Sequence, residues 1–108
     1  MSLEQLKTAL SAIPADELVS LFMTVRQTEM PLSLFSWLEH ALLAEMDAHA
    51  GRRAAIPGPQ RVVDAMDIAK SVLVLAAIAG KLRLAGLARS AEFVEAAAQC
   101  LKPPPIFH

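Results

Sequence analysis

Residues 71–80 read SVLVLAAIAG, a run of ten with no charge and a single polar side chain, Ser71. How this run is read decides the fold. Just upstream, Arg61, Asp64, Asp67 and Lys70 recur at every third position in an otherwise apolar segment. That spacing places the charges on one face of a helix. Past Lys70 the polar stripe ends, and a helix that is apolar all round must be covered, by protein or by lipid. Crossing a bilayer takes about 20 apolar residues; this run has ten and is bracketed by Lys70 and Lys81. The β-branched Val72, Val74 and Ile78 also suit a buried strand. The upstream stripe leads into the run without interruption, however, and no other segment offers a strand to pair with it. The stretch therefore predicts a buried helix over 61–80, central to an all-α compact bundle of about five helices.

Working outward towards the N-terminus, Ser2-Leu3-Glu4-Gln5 has the form of a capping box. Leu3, Leu6 and Leu10 then mark a short first helix ending near Ile13. Pro14 suits the first turn of a second helix, and Asp16 and Glu17 suit its positive end. Leu18, Leu21, Phe22 and Val25 supply its apolar face. Pro31 breaks the chain, since it disfavours helical geometry at Met30. Leu34, Trp37, Leu38, Ala41 and Leu42 carry a third helix, and Gly51 is a suitable stop.

Residues 51–60, GRRAAIPGPQ, form the one clear internal loop, long enough to be a functional or mobile element. Beyond the central run, Gly80 either ends that helix or is tolerated inside it. Ser90 is the expected N-cap of a fifth helix, with Phe93, Val94, Ala97 and Leu101 on its apolar face. The organisation expected is one helical domain over 1–102, followed by an extended proline-rich tail, PPPIFH, at 103–108.

The composition implies partnership. Alanine, valine, isoleucine, leucine, methionine, aromatic and cysteine residues make up 55% of the chain. Soluble domains hold about 45–50% even with glycine included. Alanine is cheap on a surface, but 16 leucines are harder to place. The surplus points to an apolar surface shared with another protein or a second copy, so a homodimer is expected. Trp37, Phe35, Met30, Arg52, Arg53 and Phe107 are the candidate partner-binding residues: large amphipathic or adaptable side chains, and the cations of the loop.

The net charge of −1 gives no global attraction to nucleic acid or anionic membrane. Residues 1–50 are nevertheless acidic and residues 51–108 basic. Two halves of one bundle attracting each other explain this better than a binding face does. Lys81, Arg83 and Arg89 would be the phosphate contacts if helices around 76–90 formed a helix-turn-helix. Asparagine is absent, and the few glutamines give little for base reading.

No motif carries catalytic chemistry. The sequence lacks a phosphate-binding glycine loop, a nucleophile elbow and a zinc-protease helix. Glu45 and His49 share a helical face, but two ligands do not make a metal site, and His40 points elsewhere. Cys100 lies near the end of a helix, with nothing to activate it. No cofactor or metal is expected. One cysteine and the lack of an apolar leader suggest the cytoplasm, and the alanine and arginine usage a GC-rich bacterial or phage genome. The expectation is a small non-catalytic interaction protein of regulator, inhibitor or adaptor type. A helix-turn-helix regulator is the first alternative, and a carrier of a small apolar ligand inside the bundle is the second.

Overall fold

A computed structural model describes residues 3–52 and 55–102. It is an all-α bundle of five helices: α1 (Leu3–Ser11), α2 (Ala15–Arg26), α3 (Leu32–His49), α4 (Ile68–Leu84) and α5 (Ala88–Leu101). No strand occurs among the described residues. Ser2 of the expected capping box and the tail at 103–108 lie outside them.

Each helix begins and ends for a local reason. Pro14 and Pro31, both extended, occupy the N-cap positions of α2 and α3, where a missing N–H costs nothing. At the end of α3, Gly51 takes φ +89° and lets Arg52 N–H reach back to Asp47 O at 2.8 Å. The end of α4 repeats the device. Gly86 takes φ +79°, and Leu87 N–H donates to Leu82 O at 2.8 Å. Both are left-handed glycine stops that satisfy the last free carbonyls. Gly80 is therefore interior to α4, and the Lys81–Leu84 segment forms its last turn.

The start of α4 differs from expectation. The segment before Ile68 is two short 3-10 turns, Pro59–Arg61 and Ala65–Asp67. A charge every third residue is the period of a 3-10 helix as much as of an α-helix. The hydroxyl of Ser33, at the start of α3, accepts the Asp64 N–H at 3.1 Å, which holds this segment off a helical path.

One apolar cluster joins all five helices, from Leu6 and Leu10 through Leu21, Trp37 and Leu42 to Leu75, Ile78, Phe93 and Leu101. The most enclosed element is α5, with eight of its fourteen residues buried. Its alanines, Ala91, Ala96, Ala97 and Ala98, let neighbouring helices approach closely. Among the described residues, α4 is covered on one side only, through Ser71, Leu75, Ile78, Ala79 and Leu82. The expectation of burial all round therefore holds for half of it, because four other short helices cannot surround a fifth that lies along the outside of α5.

The loop at 51–60 is not a free element in its described part. Ile56, Gly58 and Pro59 are buried, and the Trp37 indole N–H donates to Pro57 O at 2.8 Å. Arg53 and Ala54 lie outside the described residues.

Candidate interaction surface

Helical geometry places Ala69, Leu73, Ala76, Ala77, Gly80 and Leu84 within an arc of about 100°, opposite the buried side of α4. All six are exposed, Leu73 at 72% and Leu84 at 92%. Met66, just before the helix, is 95% exposed. Among the described residues this is the longest outward apolar face on one helix; Val19 and Met23 on α2, Leu32 and Leu43 are scattered by comparison.

Beside its first half the face falls into an open groove of about 720 Å³, lined by Ala65, Ile68, Ala69, Val72, Leu101 and Lys102. The groove exists because Leu101, the last residue of α5, sits beside Ile68 and Val72 near the start of α4. The far end of the pair is closed by the three-residue turn Ala85–Leu87. α4 and α5 thus run antiparallel as an αα-hairpin, whereas a DNA-reading pair crosses at about 90–120°.

The charges around this face are unevenly committed. Arg83 reaches across to Glu95 of α5, with an Nη2–Oε1 distance of 2.6 Å. Arg89 pairs with Glu92 at 3.4 Å. Two of the three cations considered for nucleic acid are thereby matched by α5 carboxylates, and Lys81 is exposed on the other flank with Lys70. Competing carboxylates at this range weaken a phosphate contact.

The residues singled out for partner binding are dispersed. Trp37 is 1% exposed, its ring stacks on Phe93 with centroids 5.9 Å apart, and its N–H is taken by Pro57. It is a core residue and presents nothing to a partner; its size and single polar atom suit both roles, so the sequence alone does not separate them. Phe35 and Met30 are half-buried and packed against the core. Arg52 is exposed at the end of α3, away from the α4 face. Arg53 and Phe107 lie outside the described residues. Of the four members among the described residues, only Arg52 is exposed. The α4 face was signalled instead by the apolar run itself, whose outer half has no cover among the described residues.

A second open groove, of about 510 Å³, lies between α1 and α5 and is lined by Gln5, Ala9, Glu92, Glu95, Ala96 and Gln99. A cleft of about 200 Å³ lies between α1, α3 and the loop, lined by Lys7, Leu10, Ser11, Glu45, Ala55 and Ile56. Pockets for small organic ligands run about 300–1,000 Å³. Glu45 and His49 approach to 3.7 Å, and among the described residues no third metal-binding side chain joins them. Burial pushes the Cys100 thiol above its ordinary range, away from the reactive thiolate. No single described helix is long and apolar enough to cross a membrane. Neither protein-family models, nor curated proteins, nor solved structures give a match to this chain.

Proposed function

We propose that this chain is a small, non-catalytic interaction module of regulator, inhibitor or adaptor type, which binds a partner protein through the outward face of α4. The observation that carries the reading is the exposure of Leu73 and Leu84 on one apolar stripe, continuous with an apolar groove. Leaving such a stripe in water forgoes roughly 25 cal/mol per Å² of apolar surface, which a partner recovers on binding. Isolated exposed leucines need no explanation, but a contiguous patch on one helix marks an interaction site. The reading includes a cytoplasmic setting, argued from a single cysteine, which leaves no internal disulfide.

A photo-crosslinking amino acid at position 73, introduced into the full chain in its native host, tests this. The expected result is a discrete protein adduct that is lost with Leu84→Asp and absent when the label sits at Glu39 on α3. Equal or no labelling from both positions removes the reading. A helix-turn-helix regulator would instead be retained by duplex DNA at low salt, and the ion pairs of Arg83 and Arg89 argue for no retention.

A further inference from the structure

We infer that the occupant of the α4 face is a second copy of this chain, packed antiparallel across a two-fold axis that passes between Ala76 and Ala77. This rests on the reading of α4 as an interaction surface, and it names the partner.

The first argument is shape. An antiparallel two-fold at that point sets Leu73 of one copy against Gly80 of the other, Ala69 against Leu84, and Ala76 against Ala77. Each large side chain meets a small one. A Cβ built at Gly80 would meet nothing within 4 Å among the described residues, so the space above it is open to receive a leucine. A parallel pairing would stack Leu73 on Leu73 and leave a void between two glycines. Packing at interfaces follows the density of protein interiors, so the arrangement without voids or clashes is preferred.

The second argument is area. The stripe is about 24 Å long on a helix about 10 Å wide, so one foreign helix laid on it would cover only a narrow strip. A two-fold uses the strip and the groove twice and brings the edge of each α5 alongside. The dimer is accordingly a weak one that depends on concentration.

Charge adds a signature. Lys70 and Lys81 lie on the flank away from α5, and an antiparallel two-fold keeps that flank on the same side in both copies. The lysines of the two copies therefore line one edge of the interface and repel. Salt screens this repulsion, so the dimer tightens as salt is raised. Binding of an acidic partner to the same lysines would weaken instead.

Sedimentation equilibrium of the full chain across protein and salt concentrations decides the matter. The expected result is a monomer–dimer equilibrium that tightens with sodium chloride and weakens about tenfold or more with Gly80→Leu, which sets leucine against leucine. Adding Leu73→Ala to Gly80→Leu restores the alternation of large and small, and with it association. Circular dichroism confirms that each variant is folded. A monomer at every concentration up to millimolar overturns the inference, as does a dimer indifferent to Gly80→Leu or one the double variant fails to restore. A monomer that still gives the adduct from position 73 overturns the second copy but leaves the interaction reading in place. A monomer with no adduct removes both.

Discussion

Glu17 of α2 accepts two hydrogen bonds from Ser90 in the first turn of α5, from the backbone N–H at 2.9 Å and from the hydroxyl at 3.0 Å. The residues are 73 positions apart. Ser90 is the third residue of α5 and fully buried, with Leu87 at the cap position, so the serine expected to cap the helix is itself capped from another helix. A carboxylate at a helix N-terminus meets both the free N–H groups and the positive end of the dipole. The contact ties the acidic first half of the chain to the basic second half at one point.

Replacing Glu17 with alanine is expected to destabilise the fold by about 1–2 kcal/mol, the range for losing a helix cap or a charge-assisted hydrogen bond. At roughly 4–8 °C per kcal/mol for a small domain, the loss is readable by thermal melting. A double-mutant cycle with Ser90→Ala should give a coupling energy of at least about 0.5 kcal/mol. Strict additivity would mean that the Ser90 hydroxyl contributes nothing to the contact, since the backbone N–H bond survives in Ser90→Ala.

Trp37 joins α3, α5 and the loop in one side chain, through the Phe93 stack and the Pro57 hydrogen bond. Trp37→Phe keeps a ring but leaves the Pro57 carbonyl without its donor, at a cost of about 1–3 kcal/mol. The loop should loosen with it, so trypsin cleavage after Arg61 is expected to accelerate well before global unfolding. Unchanged cleavage would show that Ile56, Pro59 and Val63 hold the loop without help.

The same residues show how far the sequence reaches. The apolar run, the prolines at 14 and 31 and the leucine spacings are local signals, and the five helices follow from them. What is not local was not legible. The Glu17–Ser90 cap joins distant residues, the Ser33–Asp64 bond breaks a segment that reads as helix, and the burial of Trp37 depends on where Pro57 lands. An apolar run likewise states that cover is needed, but not which half of it the chain itself provides.

Glycines divide by backbone geometry, and substitution should divide them the same way. Gly86 at φ +79° is in the left-handed region, where an alanine costs about 1–2 kcal/mol. Gly80 lies inside α4 with open space above it, so Gly80→Ala should stabilise the monomer by roughly 0.5–1 kcal/mol. Opposite signs in urea melts are the expected outcome. Destabilisation by both would mean that α4 ends before Leu84.

Ser71 lies on the buried side of α4 with its hydroxyl fully enclosed and no hydrogen-bond partner among the described residues. An orphaned buried hydroxyl costs about 1–3 kcal/mol. Ser71→Ala also improves helix propensity, so it should raise stability by about 1 kcal/mol or more. A loss of stability would mean that the hydroxyl finds a partner in solution.

Cys100 gives the pH dependence a definite sign. Burial raises its thiol pKa, so the folded chain holds the proton over a range where the unfolded chain, with an ordinary value of about 8.5, releases it. The folded state then binds more protons than the unfolded one, and stability must fall as pH rises through that ordinary value. Below it both states are protonated and the group contributes no slope. Urea midpoints at about pH 7 and about pH 10 should therefore separate more for the native chain than for Cys100→Ser, which has nothing to ionise. Alkylation by iodoacetamide supplies the kinetic counterpart: near pH 8 the folded thiol should react more slowly than in urea, because only the thiolate attacks. Equal rates together with parallel pH profiles would place this sulfur in water rather than against the apolar core.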